Sequence, residues 1–398
     1  MTPRLLFFSC VEPSADLHAS HVVRAVEGLA PGVRVKAAGG VFLARAGAEV
    51  IIDMRGQAVM GLVEVVRHLG FFRQAIRRTL AWVARNRPDA VVLVDAPGYH
   101  MRLGLALRRR FPRLPILYFI APKAWAWQPG RARTLARFVT RLLCIFPFEE
   151  EWFGARGLPA LYVGNPTLDE LRPIIARREA RLAAARSSPG DETRVMGAWP
   201  ADGLRTVAVF PGSRAAEVRR LWPVFAPALA ELRNRLGPLA FSVALAPGVE
   251  PTALRALAPI PERTAFVAPG ESQAMLSQAS FAMAKSGTTT LEAALLGVPM
   301  VVAYRMHPIT ALLARFLVGR HLGWFSLPNI LAGRSVVPEL FQSEVTAENL
   351  RRESEAILGD SARYRRMQRD LVALRGGFGD KPAGERAAEA ILSLAGSG

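Results

Sequence analysis

Short apolar runs alternate with amphipathic stretches along the first 165 or so residues of the chain. Six apolar runs predict strands, at residues 5–10, 33–37, 50–52, 90–94, 116–120 and 142–146. Four stretches with apolar residues at helical spacing predict helices, at residues 17–29, 62–85, 101–111 and 130–138. Apolar strands that alternate with helices are typical of parallel βαβ units buried on both faces. The pattern therefore predicts a doubly wound α/β domain.

The alternation breaks near residue 175 and resumes near residue 206. The intervening sequence is rich in Arg and Ala and ends in Ser, Pro, Gly and Asp, a composition typical of a helix running into a flexible connection. Beyond it, strands are predicted at 206–210, 240–246, 265–268, 281–284 and 299–303, and helices at 215–236 and 289–296. We therefore predict a first domain at 1–175, a linker at 176–205, a second α/β domain at 206–365 and a helical tail at 366–398.

Composition supports two folded domains. The 398 residues exceed the roughly 250–300 at which a single core stops growing, and 51% of them are hydrophobic. Both cysteines, Cys10 and Cys144, lie in predicted strands, so a disulfide framework is not expected and a reducing compartment is. The longest uncharged segment, 236–249, is too short to span a membrane and contains two prolines. The chain is expected to be globular, with at most a peripheral membrane contact.

The net charge is +18, from 51 Lys and Arg against 33 Asp and Glu. Such an excess can indicate binding to nucleic acid or to an anionic membrane. Only four of the basic residues are lysine, namely Lys36, Lys123, Lys285 and Lys381, which equally suits a compositional bias towards arginine. The charge by itself leaves both interpretations open.

Two glycine-containing turns follow strands of the second domain. The first consists of Pro211, Gly212, Ser213 and Arg214, with Glu217 in the next helix. The second is Lys285-Ser286-Gly287-Thr288-Thr289-Thr290, with Glu292 one turn into the helix that follows, and its predicted phosphate contacts are Ser286, Gly287 and Thr288. Helix N-termini and a guanidinium bind phosphate, and the carboxyl edge of a parallel sheet is where such folds bind ligands. We predict a nucleotide here with Glu292 on its ribose, although either turn alone also fits an ordinary strand–helix connection.

Several common nucleotide and metal motifs are absent from the sequence. There is no GxxxxGK[ST] or GxGxxG motif, which removes the main sequence support for ATP hydrolysis and dinucleotide redox chemistry. There is also no Asp-x-Asp pair of the kind that holds a metal in many sugar transferases. A site that neutralises phosphate with arginine and helix dipoles, without a metal, is therefore favoured.

Asp95 ends an apolar strand of the first domain, where a carboxylate costs stability unless it has a function or caps a helix. We predict that this carboxylate is functional, with an N-cap for the next helix as the alternative. By residue type, His18, His21, His68 and His100 are rival candidates for proton transfer.

The segment 60–78 mixes large apolar and basic residues at helical spacing, as interfacial amphipathic helices do. The predicted exposed apolar patch consists of Val66, Leu69, Phe71, Phe72 and Ile76, and basic residues ring it at Arg67, Arg73, Arg77 and Arg78. A core-facing helix with a basic outer face is the alternative interpretation.

Nine motifs in order along nearly the whole chain carry a family resemblance. They are Val59-Met60-Gly61-Leu62-Val63-Glu64-Val65, Asp95-Ala96-Pro97, Trp125-Ala126-Trp127, Pro147-Phe148-Glu149, Val163-Gly164-Asn165-Pro166, Pro211-Gly212-Ser213-Arg214 with Glu217-Val218, Ser286-Gly287-Thr288 with Leu291-Glu292, Tyr304-Arg305-Met306 and Ser326-Leu327-Pro328-Asn329-Ile330-Leu331-Ala332-Gly333. On these motifs the chain resembles the lipid-A-disaccharide synthases.

The resemblance implies a GT-B fold, in which two doubly wound Rossmann-like domains face a cleft and a C-terminal helix returns to the first domain. It implies an inverting, metal-independent transfer, with no cofactor, of 2,3-diacylglucosamine from UDP to 2,3-diacylglucosamine 1-phosphate. The products are a β(1→6) disaccharide 1-phosphate and UDP. The implied location is cytoplasmic and peripheral on the inner membrane, with no nucleic-acid partner.

By the matching positions, Asp95 is the implied catalytic base. The implied donor site consists of Gly212, Ser213, Arg214, Glu217, Ser286, Gly287, Thr288, Glu292, Arg305, Met306 and Asn329. The implied acceptor side consists of Glu12, Ser14 and Asp16.

The sequence departs from the family pattern in two loops. The first loop of the family usually reads Gly-Glu-Ala-Ser-Gly-Asp, and here Val11 and Ala15 replace its two glycines and Pro13 replaces its alanine. After Asp95-Ala96-Pro97, Gly98 and Tyr99 stand where the family usually has Asp-Phe-Asn. The resemblance therefore defines the identity and acyl chains of the acceptor less well than it defines the transfer reaction. The alternatives are another GT-B nucleotide-sugar enzyme, such as an epimerase or a transferase with a different lipid acceptor, and a non-catalytic paralogue that only binds a nucleotide sugar.

Overall fold

The structure is a computed structural model that describes residues 4–55, 62–186, 205–306 and 323–396. The side chains of residues 62–69, 127, 185 and 186 lie outside the description. The chain divides into two units. Unit 1 consists of Met1–Asp169 and Phe378–Gly398, and unit 2 consists of Glu170–Gly377.

Unit 1 is built on a seven-stranded parallel sheet in the order β3-β2-β1-β4-β5-β6-β7. Its strands are β1 Leu5–Cys10, β2 Arg34–Gly39, β3 Glu49–Asp53, β4 Ala90–Val94, β5 Ile116–Phe119, β6 Arg141–Cys144 and β7 Ala160–Tyr162. Strands β1 and β4 are buried at every residue, as expected for a sheet covered on both faces. Both cysteines are buried and free at the ends of β1 and β6.

Helices flank this sheet: α1 Pro13–Leu29, α2 Val41–Arg45, α3 Leu62–Asn86, α4 Pro97–Arg110, α5 Ala124–Trp127, α6 Gly130–Ala136 and α7 Pro147–Gly154. The next helix, α8 Pro166–Arg186, begins in unit 1 and belongs to unit 2 from Glu170 onwards. The C-terminal helix α16, Ala383–Ala395, packs against α1, and its Ala387 and Ile391 join the core beneath β1. A Cβ on Gly384 would lie 3.2 Å from the His21 carbonyl carbon, so a glycine allows the two helices this close approach. The predicted return of the C-terminal helix to the first domain is confirmed.

Unit 2 is built on a six-stranded parallel sheet in the order β10-β9-β8-β11-β12-β13. Its strands are β8 Arg205–Phe210, β9 Leu239–Ala244, β10 Thr264–Val267, β11 Phe281–Lys285, β12 Met300–Tyr304 and β13 Glu339–Phe341. Its helices are α9 Ala215–Leu236, α10 Pro251–Leu257, α11 Ser272–Gln278, α12 Thr288–Leu295, α13 Leu327–Ala332, α14 Ala347–Leu358 and α15 Ser361–Ala373. The predicted doubly wound α/β architecture is confirmed in both units.

The structure moves two of the predicted boundaries. Helix α8 continues to Arg186, so residues 176–186 of the predicted linker are helical, while 187–204 lie outside the described residues. The predicted tail starts at residue 366, inside α15, whereas the return to unit 1 begins at Phe378. Helix α15 is held in unit 2 because the buried hydroxyl of Tyr364 donates to the Ser280 carbonyl at 2.5 Å.

Candidate active site

The carboxyl ends of the central strands bring together the predicted site residues of each unit. In unit 1, β1 pairs with β4, with Cys10 opposite Val94, so the loop after β1 lies beside Asp95. In unit 2, β8 pairs with β11, with Phe210 opposite Ala284, so the two glycine turns are neighbours. Both pairs are parallel, and the order in which successive strands join the sheet reverses between β1 and β4 and between β8 and β11. Open α/β sheets bind ligands at such switch points.

The turn after β8 is shaped by Glu217. Gly212 has φ 144°, and a Cβ at this position would lie 2.5 Å from the Glu217 Cβ. The Ser213 N–H donates to Glu217 Oε2 at 3.0 Å, which closes the turn from within. Arg214 caps α9, and its side chain is 62% exposed. The structure therefore places Arg214 outward, where it can meet a ligand, and Glu217 inward as a support.

Lys285, at the end of β11, is a cation of this site that the sequence analysis did not assign. Its Nζ lies 3.1 Å from Glu217 Oε1 and 5.5 Å from the centre of the Tyr304 ring. It borders a cavity of about 330 Å³ that is also lined by Gly212, Ser213, Gly287, Thr288 and Thr289. Its place at the start of the predicted turn, in a chain with only four lysines, was the sequence signal that could have drawn attention to it.

The turn after β11 offers the N-terminus of α12. Gly287 precedes the helix, and Thr288 begins it with an exposed side chain. The Ser286 N–H is already bonded to the Ala303 carbonyl in the sheet at 2.9 Å, and its hydroxyl donates to the Phe325 carbonyl at 2.9 Å. Ligand donors in this turn are therefore the first N–H groups of the helix, which have no intrahelical acceptor.

Glu292 lies one turn into α12 and is half-buried. Its Oε1 accepts from Gln273 Nε2 at 3.1 Å. Burial, with a smaller contribution from the negative charge of Glu170, raises the pKa of Glu292, and the Gln273 hydrogen bond partly opposes this. A carboxylate at this depth is suited to hydroxyl groups, such as those of a ribose, rather than to phosphate.

Asn329 is fully buried, and its amide group is occupied by the protein itself. Its Oδ1 accepts from Val336 N and Val337 N at 2.7 and 2.9 Å, and its Nδ2 donates to Glu339 Oε1 at 2.8 Å. Glu339 also accepts from the backbone N–H groups of Phe325 and Ser326. Asn329 thus supports the loop that contacts Ser286. Glu339, which the sequence analysis missed, is the anchor of that loop.

The two remaining donor-side residues follow β12. Arg305 is exposed, and Met306 is half-buried. The Met306 N–H donates to Gln342 Oε1 at 2.9 Å, which fixes this strand end. Arg305 is therefore the one of the pair whose side chain is open to solvent.

Asp95 is half-buried and lies on a strained backbone. It has φ 50°, and Ala96 after it has φ 45°. Burial raises the pKa of Asp95, and the negative charge of Glu12 raises it further, while the Ala96 N–H, Lys123 and His18 lower it. The N-cap of α4 is Ala96 and no side chain caps this helix end, so the alternative that Asp95 is a helix cap is not supported.

His100 is fully buried, and both of its ring nitrogens are engaged, Nδ1 with the Asp95 carbonyl at 2.7 Å and Nε2 with Ser9 Oγ at 2.9 Å. Burial lowers the pKa of His100 to about 4, so the ring is neutral near pH 7. It therefore has no nitrogen available to a substrate. The side chain of His68 lies outside the described residues.

The three predicted acceptor-side residues separate into two roles. Glu12 and Ser14 are exposed at the start of α1, and Glu12 is close enough to Asp95 to affect its pKa. Asp16 is buried instead, because its oxygens accept from Gly40 N at 2.7 Å and Phe42 N at 2.8 Å at the start of α2. Asp16 is a structural residue of this loop, and the two others remain candidates for ligand contact.

Glu149 is a buried carboxylate at the same edge of unit 1. It accepts from Trp125 Nε1 at 2.8 Å and from the N–H groups of Ile145 and Phe146 at 3.2 and 3.1 Å. Burial raises the pKa of Glu149 to about 7, although these hydrogen bonds and Lys123 oppose the shift. Glu149 therefore ties the loop that carries Lys123 and Trp125 to the end of β6.

The predicted membrane patch lies on α3 and is only partly described. Phe71, Phe72 and Ile76 are half-buried rather than exposed. The centre of the Phe72 ring lies 5.3 Å from that of Tyr99 and 5.8 Å from that of Phe71. The prediction of an exposed apolar patch is therefore not met at these three positions. Val66 and Leu69 lie outside the described side chains. Arg73, Arg77 and Arg78 are exposed.

No helix in the described residues is long and apolar enough to cross a membrane. Within the same ranges, no three His, Cys, Asp or Glu side chains converge as metal ligands would.

Two α/β units, each built on a parallel sheet with a switch point in its strand order, are the architecture of the GT-B fold. Solved structures of this fold include the UDP-GlcNAc 2-epimerase of Neisseria meningitidis bound to UDP-GlcNAc, with a TM-score of 0.65 and 13% identity over 98% of this chain and 100% of that one. They also include MurG of Acinetobacter baumannii, with a TM-score of 0.57 and 16% identity over 98% of this chain and 100% of that one. At these identities the likeness establishes the fold alone.

The sequence comparisons show the family. The family model of LpxB, lipid-A-disaccharide synthetase, matches residues 6–388. The lipid-A-disaccharide synthase of Solibacter usitatus is 36% identical over 99% of this chain and 96% of its own length, and that of Myxococcus xanthus is 34% identical over 98% and 97%. The chain therefore belongs to the lipid-A-disaccharide synthase family, and it is a glycosyltransferase of lipid A biosynthesis. The resemblance seen in the sequence is confirmed.

Proposed function

We propose that this chain transfers 2,3-diacylglucosamine from its UDP derivative to 2,3-diacylglucosamine 1-phosphate, with inversion at the anomeric carbon. The 6-hydroxyl of the acceptor attacks that carbon, the bond to UDP breaks, and a β(1→6) disaccharide 1-phosphate and UDP are formed. Membership of the lipid-A-disaccharide synthase family supports this reaction. So does the presence of a separate candidate site at the switch point of each sheet.

Asp95 is the proposed base, and its setting is the observation that carries the proposal. A half-buried carboxylate beside Glu12 holds a proton more readily than an exposed one, which brings its pKa closer to working pH. The carboxylate accepts the proton of the attacking hydroxyl. Its negative charge also stabilises the positive charge that develops on the sugar ring.

The UDP group is proposed to lie across the two turns of unit 2, with its ribose on Glu292. The N-termini of α9 and α12, together with Arg214, supply positive potential for the diphosphate. We propose that these groups, rather than a metal ion, stabilise the leaving UDP. Asn329 and Glu217 support the site from behind, since their polar atoms already bond to the protein.

The assay that tests this function is UDP release on mixing both lipid substrates. A transferase releases UDP only when donor and acceptor are both present. An epimerase instead converts the UDP-sugar without an acceptor, and a binding paralogue releases nothing while it retains affinity for UDP. Release that does not depend on the acylated acceptor would contradict the proposed transfer.

We also propose that the protein works on the cytoplasmic face of the inner membrane, because its proposed substrates carry acyl chains. Arg73 and Arg77 are exposed one turn apart on α3 and suit anionic lipid. The charge reversal Arg73→Glu with Arg77→Glu should weaken binding to anionic vesicles about 10- to 30-fold. The matched control is Arg365→Glu with Arg369→Glu, an exposed pair of the same spacing on α15. Equal losses from both pairs would indicate only nonspecific charge.

A further inference from the structure

The two residues that follow strand β4 have a backbone conformation that their side chains do not favour. Asp95 and Ala96 both lie in the left-handed region, which side chains with a Cβ rarely adopt. The Asp95 N–H continues the sheet by donating to the Phe119 carbonyl at 2.9 Å. Some other contact must therefore hold the peptide that follows.

That contact is a pair of buried donors on the Asp95 carbonyl. Tyr118 Oη donates to it at 2.5 Å, and His100 lies beside it with Nδ1 at 2.7 Å. Since a carbonyl only accepts, Nδ1 must carry the ring proton, and Nε2 must accept from the hydroxyl of Ser9 at 2.9 Å. Tyr118, His100 and Ser9 are each fully buried.

We propose that Tyr118 and His100 are positioning residues that hold the Asp95 peptide in its left-handed turn, so that the carboxylate is presented at the sheet edge, with Ser9 fixing the orientation of the His100 ring. The proposal rests on the proposed function, in which Asp95 is the base. The two donors engage both lone pairs of the Asp95 carbonyl. Rotation of this peptide would break both hydrogen bonds. The role is therefore to aim Asp95, not to contact the substrate.

Deleting the tyrosine hydroxyl tests this directly. Tyr118→Phe should lower kcat about 10- to 100-fold, because a small displacement of a reacting group has this effect, and should leave UDP affinity unchanged. The matched control is Tyr364→Phe, which removes an equally buried hydroxyl that also donates to a carbonyl at 2.5 Å, in unit 2. The two variants should lose similar thermal stability, and only Tyr118→Phe should lose turnover. Equal turnover in both would overturn the proposal.

Replacing the histidine gives a second, independent test. His100→Leu removes the donor, whereas His100→Asn keeps an N–H at the same distance along the side chain as Nδ1. Turnover should fall at least about 10-fold in His100→Leu and be largely restored in His100→Asn. If both variants lose turnover equally, His100 fills space only, and its part of the proposal is wrong.

Asp95→Asn in the same assay separates this proposal from the function beneath it. An inactive Asp95→Asn beside a fully active Tyr118→Phe would overturn the positioning role and leave the base in place. An active Asp95→Asn would overturn both the base and its positioning.

Discussion

In unit 1, strand β4 is followed by Asp95 and Ala96, which have φ 50° and 45°, whereas in unit 2 strand β8 is followed, after Pro211, by Gly212 with φ 144°. Glycine adopts positive φ at little cost, while each residue with a Cβ incurs about 1–2 kcal/mol. A glycine also lets a ligand approach the main chain. The comparison indicates that the edge of unit 2 is built to bind a group against its backbone, and that the edge of unit 1 is built to aim one side chain.

The two edges also differ in how their charges are compensated. In unit 2, Glu217 lies 3.1 Å from Lys285, so a carboxylate and a cation neutralise each other beside the cavity. Burial raises the pKa of Asp95 and Glu149 in unit 1, as it raises that of Glu292 in unit 2. The edges therefore differ in the Glu217–Lys285 pair, because a compensated pair suits binding, whereas the raised pKa of Asp95 suits proton transfer near neutral pH.

The largest expected effect is on the base of unit 1. Asp95→Asn preserves the shape and removes the charge, so turnover should fall about 10²- to 10⁴-fold. UDP affinity should stay nearly unchanged because the UDP site belongs to unit 2. Steady-state kinetics with UDP titration calorimetry measure both. If turnover stays within a few-fold of wild type, Asp95 is not the base and His18 becomes the next residue to test.

The next effect is a pH dependence of stability that comes from Glu149. Its pKa is about 7 in the folded protein against an ordinary value of 4.5. Between these values the folded state binds more protons than the unfolded state, so the free energy of unfolding falls as the pH rises from about 4.5 to about 7. The full contribution is about 3 kcal/mol, present below that window and lost above it.

Urea unfolding of wild type and Glu149→Gln at pH 5 and pH 8 measures this contribution. The free energy of unfolding of wild type relative to the variant should be larger at pH 5 than at pH 8. A difference that is the same at both pH values would show that the Glu149 carboxyl does not titrate in this window.

The donor edge of unit 2 predicts a smaller effect, on binding. Arg214→Ala and Glu292→Ala should each weaken UDP affinity by about 1.5 to 3 kcal/mol, the value of a charge-assisted hydrogen bond. Arg214→Ala should spare the affinity for uridine, which has no phosphate, whereas Glu292→Ala should weaken both ligands. Arg219→Ala, an exposed arginine further along α9, is the control. Wild-type UDP affinity in both variants would refute the donor site.

The chain's periodicity predicts most of the fold. The predicted bounds of β1 and β4 coincide with the structure, because long apolar runs leave little choice for a doubly buried strand. Strands β7 and β13 were missed, since each has three residues and at least two of these are only half-buried. Such edge strands are defined by their neighbour rather than by their own pattern.

The sequence predicts which residue types form the candidate site and at which edge of each sheet they lie. It predicts less well whether a given residue contacts the ligand or supports the backbone. Asp16 and Asn329 were assigned to ligands, yet the structure uses both to satisfy backbone N–H groups. Gly40 lies 24 residues after Asp16, and Val336 lies in an irregular segment 7 residues after Asn329. No rule of helix or strand spacing connects either pair. The conformation of Asp95 was equally hidden, because nothing in the sequence indicates that the buried hydroxyl of Tyr118 donates to the Asp95 carbonyl.

The smallest expected effects test the backbone contrast itself, and they should have opposite signs. Gly212→Ala places a Cβ 2.5 Å from the Glu217 Cβ at φ 144°, so it should lower the free energy of unfolding by about 1 to 2 kcal/mol and weaken UDP binding. Ala96→Gly relieves a left-handed alanine but frees the unfolded chain, so the net change should be a gain of about 0 to 1 kcal/mol. Chemical unfolding of both variants measures the pair. If Ala96→Gly were the more destabilising of the two, the left-handed turn in unit 1 would not be the strained one, and the contrast between the edges would fail.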